Sequence, residues 1–272
     1  VSDIEEITRP GLTYKDNVTK VMATISLASD FATANAVKTT SLYGHNKEFE
    51  HNSKIFFYDY VNEDYEKYGT SQVLDLVKNK KDKAKYKKEY AALIEKYKQN
   101  QVDKFKKDIE DEHDVKVDKH DLKVTKTGRF GINEPLEITE SFTITSNFIK
   151  KAGNNYILDI GKFISSQVDI EEKEYQRTNN IYTIFARSFE YTINLDIPAG
   201  YSISGLEKLN VKVENETGSF ISKAEIKDNK LVIVSTKNYI NSYEPNANWK
   251  KMIAFLDAAY QFSQEKVLLK KN

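Results

Sequence analysis

The sequence contains no cysteine. Thiol nucleophiles, cysteine-ligated zinc and iron–sulfur clusters are therefore excluded, and no disulfide can staple the fold. A chain of 272 residues can bury roughly three-quarters of its unfolded surface, so it needs no such staple. Proline and glycine are scarce, at four and ten, and the glycines are scattered singly. Neither a P-loop nor a dinucleotide-binding fingerprint occurs. No apolar run approaches the roughly 20 residues of a membrane span. Charge of one sign is lacking too: Lys plus Arg and Asp plus Glu both number 41. A neutral chain has no global field to draw it onto nucleic acid or an anionic membrane. The opening VSDIEEITRP is polar and acidic and does not read as a signal peptide, and the abrupt Val1 is expected to begin a piece of a longer chain.

Catalytic patterns are equally sparse. There is no H-E-x-x-H, no calcium-loop pattern and no G-x-S-x-G; Ser204-Gly205 lacks the preceding glycine of a nucleophile elbow. The four histidines are His45, His51, His113 and His120. The last two lie in EDEHDVKVDKHD (110–121), the densest run of hard-metal ligand types, but straddle an expected helix-to-strand change. A solvated polar connection is expected there rather than a metal site. Paired carboxylates for hydrolysis are a property of the fold, so 41 acidic residues single out no pair. No catalytic, cofactor-binding or metal-ligating residue is assigned, and an enzyme is not expected.

What is abundant is aromatic: 17 Tyr and 14 Phe against one Trp. Tyr, Phe, Val, Ile and Thr suit a pleated, half-buried surface. Residues 1–16 read as a linker. Three strand-like runs follow at 18–29, 32–44 and 48–60, as a β-meander. Between 80 and 112, Tyr86, Tyr90, Leu93, Ile94, Tyr97, Val102, Phe105 and Ile109 recur at steps of three and four. That spacing predicts a long amphipathic helix with a core-facing stripe, preceded by a shorter helix around 62–77. Its lysine-rich start, KNKKDKAKYKKEY (78–90), is read as a solvated face rather than a nucleic-acid site.

From Val115 the period returns to two. LEITESFTI (136–144) places Leu136, Ile138, Phe142 and Ile144 on one face. SFEYTINLDIP (188–198) does the same for Phe189, Tyr191, Ile193, Leu195 and Ile197. LNVKVE (209–214) alternates likewise, and ISKAEIK and KLVIVST flank Asp228-Asn229 as a tight hairpin. Trp249, Met252, Ile253, Leu256 and Tyr260 keep helical spacing (about 246–262), and KVLLKK (266–271) reads as a closing strand. The expectation is an α+β, mainly antiparallel and sandwich-like arrangement, with a meander-and-helix part at 17–113 and a second domain at 114–272. Tyr239, Tyr243 and Tyr260 are expected to be core or near-core rather than a sugar-stacking platform.

The stretch SFEYTINLDIPAGYSISGLEKLNVKVENETGSF (188–220) resembles the C-terminal region of bacterial multidomain transglutaminase-like proteins. Its strand, I-P-x-G-Y turn, short strand and Leu-Glu step carry the likeness, with NFIKKAGNNYILDIGKF (147–163), Arg187 and KVLLKK. The specific part is 134–272. In such proteins a Cys–His–Asp core lies between β-rich domains. The absent cysteine means that no catalytic residue carries over. The resemblance implies a non-catalytic accessory, binding or scaffolding region whose partner is a transglutaminase-like core in the same polypeptide. It also implies an extracytoplasmic location, in the periplasm or at the cell surface. A free-standing glycan- or peptide-binding β module is the alternative, and a carboxylate-dependent hydrolase a third reading. No cofactor, nucleic-acid partner or membrane span is expected.

Overall fold

The computed structural model describes residues 11–69, 73–131 and 133–272. Most of the linker expected at 1–16 lies outside them. The hairpin β1 (Val18–Leu27)–β2 (Ala34–Leu42) is followed by α1 (Gly44–Lys54), α2 (Phe57–Tyr68) and α3 (Lys80–His113). Then come β3 (Lys116–Lys126), β4 (Leu136–Ser146), β5 (Ile149–Ala152), β6 (Asn155–Leu158), β7 (Ile181–Tyr182) and β8 (Arg187–Asp196). The chain ends with β9 (Tyr201–Ser204), β10 (Val211–Asn215), β11 (Gly218–Lys227), β12 (Lys230–Tyr239), β13 (Tyr243–Glu244), α4 (Trp249–Ser263) and β14 (Val267–Lys271).

The fold is α+β and mainly antiparallel. One eight-stranded sheet runs β10-β11-β12-β8-β1-β2-β4-β3, and a four-stranded sheet runs β5-β6-β14-β9. Within the large sheet β8 pairs antiparallel with β12 and parallel with β1. The strands β1 and β2 thus lie between β8 and β4, so one sheet draws on both of the segments expected as separate domains. The hairpin expected at Asp228-Asn229 joins β11 to β12, both residues having positive φ as a two-residue turn of this type requires.

Alternation sets which face is buried. Tyr191, Ile193, Leu195 and Ile197 are buried as their spacing predicts, and Phe189 is half-buried on the same face. Cross-strand register continues that face through Val21, Ala23 and Ile25 of β1 and Ala34 and Ala36 of β2. Met22, Val37 and Val234 point the other way and are exposed. The small sheet and α4 cover the inner face: Leu158, Leu269, Phe255 and Phe262 share one apolar core with Ile193 and Ile233. Gly218 lets α4 come close, because a Cβ there would sit 2.6 Å from the Phe255 ring.

Two sequence expectations change. The run at 48–60 is not a third strand; it belongs to α1 and α2. Its alternation is broken by the polar run His51-Asn52-Ser53-Lys54, and α1 buries Asn46 and Lys47 rather than an apolar row. The long helix forms, with Asn79 Oδ1 accepting from the Lys81 and Asp82 amides at its start. Its stripe does not stay in the core: Tyr86, Leu93 and Tyr97 are exposed, and burial begins at Gln101 and continues through Phe105, Ile109 and His113. At 1.5 Å per residue α3 is about 50 Å long, against about 35 Å for the strands beneath it. The first half of the helix overhangs the sheet.

Candidate functional site

The inner face of the large sheet is not fully covered. Where α4 and the small sheet stop, an open cleft of about 570 Å³ remains over β12, β8, β1, β2 and β4. The C-terminal half of α3 and the α1 face form one wall, and residues 165–168 and 184–185 form the other. Its floor is laid down by register. Lys237 lies opposite Phe189, which lies opposite Thr19, which lies opposite Leu42. The next row joins Ser235, Tyr191, Val21, Thr40 and Ile138. Phe189 is less buried than its alternating partners because it faces this opening.

At one end of the cleft sits a buried ionic cluster. Lys38 and Glu140 are direct cross-strand partners on β2 and β4, with side chains only 4% and 6% exposed. The Lys38 ammonium donates to Glu112 Oε2 at 2.7 Å, contacts His113 Nε2 at 3.5 Å, and lies 3.7 Å from Glu140 Oε2. His113 Nδ1 donates to the Lys162 carbonyl at 2.9 Å, which leaves Nε2 as the acceptor facing Lys38. Ser165 Oγ donates to Glu112 Oε1 at 2.5 Å. A register shift in β3 between Asp118 and Asp121, with Lys119 at positive φ, brings His120 inward, its Nε2 3.0 Å from Glu140 Oε1.

Electrostatics within the cluster follow from these contacts. Burial alone would pull the Lys38 ammonium down, but Glu112 and Glu140 override it and hold it above its ordinary value. Burial would raise Glu112; Lys38, and after it His113, hold it well below the usual carboxylate range. His113 is pushed down, chiefly by burial. The expectation that 110–121 is a solvated connection holds for Asp111, Asp114, Lys116, Asp118, Lys119 and Asp121, which are exposed, but not for the histidines, whose side chains are 1% exposed. The chain folds them onto the Lys38–Glu140 pair from opposite sides of the helix-to-strand change. Among the described residues no group of three His, Asp or Glu side chains is placed to hold a metal ion.

The other end of the cleft is cationic. Lys237 is 6% exposed and donates to Gln167 Oε1 at 2.7 Å. The Gln167 amide is fixed by donating to the Ile164 and Ser165 carbonyls, so its oxygen is the atom left for Lys237. Arg187 donates to the Thr183 carbonyl at 2.8 Å and stacks over Tyr239, 4.8 Å from the ring centroid. Among the described residues neither cation has a carboxylate within ion-pair distance. Burial, reinforced by Arg187, pushes the Lys237 ammonium down to about 8. Burial pushes the Tyr239 hydroxyl up to about 12, against the opposing pull of Arg187.

The wall opposite α3 is strained. Ser165 has φ 64° and ψ 167°, a region that is essentially glycine's own. Ile184, a β-branched residue, has φ 64° and centres a three-residue turn closed by the Phe185 amide on the Thr183 carbonyl at 2.7 Å. Both residues line the cleft. Strain of this kind concentrates at binding and active sites, where surrounding structure holds it in place.

Other candidate residues lie elsewhere. His45 pairs with Glu48 at the surface, and His51 Nε2 donates to the Thr127 carbonyl. Tyr239 is buried and Tyr260 half-buried, as expected, but Tyr243 is exposed on the short edge strand β13 rather than near the core; with Trp249 also buried, no shared exposed aromatic strip forms. No described helix is long and apolar enough to cross a membrane.

Known proteins cast a partial light on this site. Residues 154–269 match a family model. The family is described as Domain of Unknown Function with solved-structure structure (DUF3858). Comparison with curated proteins finds no match. The matched segment holds Ser165, Gln167, Ile184, Arg187, Lys237 and Tyr239, whereas Lys38, Glu112 and Glu140 lie before it. The cleft is therefore built jointly by the DUF3858 segment and the chain that precedes it.

Proposed function

We propose that this chain is a non-catalytic binding region, accessory to a transglutaminase-like core of an extracytoplasmic protein, and that it takes its ligand in the cleft on the large sheet. The observation that carries the binding role is the uncompensated Lys237–Arg187 pair on the floor of an aromatic-walled opening. A protein does not desolvate a lysine beside an arginine for stability, since burial of unpaired charge is costly. The volume is that of a small-ligand or peptide-side-chain site. The accessory role rests on the transglutaminase-like resemblance of 134–272; the DUF3858 match at 154–269 lies within that segment and names no function.

A non-catalytic role is supported by Glu112, one of the carboxylates that line the cleft. Hydrolysis by paired carboxyls needs one with a raised pKa to act as general acid. Glu112 is held in the opposite direction by Lys38. A free-standing peptide-binding module is favoured by the same aromatic walls and differs only in lacking an attached core.

The test is a nuclear magnetic resonance screen of short peptides and oligosaccharides against the isotope-labelled chain. Ligands should shift resonances of Phe189, Tyr239 and Lys237. Hits that map only to other surfaces, or a screen with none, would contradict the cleft assignment. An upstream reading frame without a transglutaminase-like core would remove the accessory role and leave the free-standing module.

A further inference from the structure

We infer that the cleft is specific for an organic carboxylate carried on an apolar or aromatic body, with Arg187 and Lys237 as its anion subsite. This deepens the binding reading and rests on it.

The geometry points to one negative charge rather than to several. Arg187 and Lys237 stand on neighbouring antiparallel strands, and both approach the same ring: the guanidinium carbon lies 4.8 Å and the ammonium 5.2 Å from the Tyr239 centroid. Arg187 has five N–H donors, of which one hydrogen bond, to the Thr183 carbonyl, is accounted for among the described residues. The Lys237 ammonium has three donors, and its one hydrogen bond in the described set is to a neutral amide oxygen. Both groups line the cavity, and two adjacent cations without a counter-ion leave a local positive charge that an entering carboxylate would neutralise.

Phosphate fits less well. Phosphate sites are usually built on backbone N–H groups at a helix start or in a glycine-rich loop. The cationic end of this cleft is built instead from side chains where β8 begins and β12 ends, among those of Phe185, Phe189 and Tyr239. Those rings, with Phe49 and Phe105 across the opening, offer an apolar body its surface. At the far end Lys38 is already engaged by Glu112 and Glu140, so that end offers a carboxylate no free cation, and the Arg187–Lys237 end sets the ligand's orientation. Such a carboxylate could belong to a peptide C-terminus or to a free apolar acid; the chemistry recognised is the same.

Calorimetric titration of the full chain with two acids and their neutral counterparts separates these cases. N-acetyl-L-phenylalanine represents a peptide C-terminus and octanoate a free acid; N-acetyl-L-phenylalaninamide and octanol are the neutral partners. At least one acid should bind about tenfold or more tightly than its neutral partner, and the stronger acid names the source. Arg187→Gln and Lys237→Met should each weaken that acid by about tenfold or more. Lys237→Met removes a buried charge and is expected to fold, so it serves if Arg187→Gln does not. Equal binding of acid and neutral partner would overturn the carboxylate subsite while leaving the cleft as a binding site. Binding indifferent to Lys237→Met, no binding of either acid, or tighter binding of inorganic phosphate than of both acids would overturn it as well.

Discussion

Lys237 and Arg187 both approach the ring of one tyrosine, Tyr239, and neither has a carboxylate partner among the described residues. In a chain with equal numbers of acidic and basic residues, that imbalance is local.

Lys237→Met is expected to stabilise the protein. Its folded pKa of about 8 lies below the ordinary 10.5, so the unfolded chain holds the proton more tightly. Stability therefore rises with pH between about 8 and 10.5, and below that window the buried ammonium is a full liability. The shift corresponds to an upper value on the order of 3 kcal/mol. Denaturant unfolding at pH 7 and pH 10 checks this: the variant should gain at pH 7, and its advantage should shrink at pH 10. A loss at pH 7 would assign Lys237 a structural role.

Lys38→Met should act in the opposite direction. It leaves Glu112 and Glu140 without their shared cation and should destabilise by about 3–5 kcal/mol. Adding Glu140→Gln should restore part of that loss. The intact cluster also sets an acid limit, because Glu112 and His113 both have lowered folded pKa values. Their contributions are present above the unfolded values, about 6.5 for the histidine and 4.5 for the carboxylate, and fade as pH falls through the lower folded ones. Lys38, raised when folded, contributes below pH 10.5 and loses that contribution above it. Unfolding curves from pH 4 to 8 should show a falling midpoint on the acid side that Lys38→Met flattens.

The charged residues of the site leave a trace in the sequence that alternation alone passes over. In LEITESFTI the inward phase is Leu136, Ile138, Glu140, Phe142 and Ile144, so Glu140 is the one charge on an otherwise apolar face. Lys38 interrupts Ala34, Ala36, Thr40 and Leu42 in the same way, and Lys237 interrupts Leu231, Ile233, Ser235 and Tyr239. A charge in phase with the core was the available signal. Which charges would meet was not legible, because the β2–β4 and β8–β12 pairings and the β3 register shift bring together residues far apart in the chain. The strand pattern of β4, β8 and β12 and the extent of α3 could be read directly. The overhang of α3 could not, since spacing marks an apolar stripe but not whether anything lies under it.

Ile193→Ala should cost about 2–5 kcal/mol, because Ile193 is fully buried in the central strand of the main core. Equilibrium unfolding measures it directly, and a change within about half a kcal/mol would show the face assignment to be wrong.

Along α3 the same truncation should give different answers at its two ends. Phe105→Ala should destabilise by about 3–5 kcal/mol, because Phe105 packs with Leu42, Ile55 and Leu136. Leu93→Gln should change stability by no more than about half a kcal/mol. Replacing Lys81, Lys85 and Lys88 with Gln should leave stability unaltered and create no difference in nucleic-acid binding, which is expected to be absent at physiological salt. A salt-sensitive DNA or RNA complex lost in that triple variant would give the overhanging helix a different role.

The central claim is that the cleft holds two cations in wait for a carboxylate, and the titration of Lys237 itself tests it most directly. With lysine labelled at Cε, the Lys237 signal should titrate near 8 in the free protein. Saturating N-acetyl-L-phenylalanine or octanoate should move it back toward 10.5, because a carboxylate beside the ammonium favours its charged form. A free-protein value already near 10.5, or a value near 8 that neither acid moves, would contradict the account.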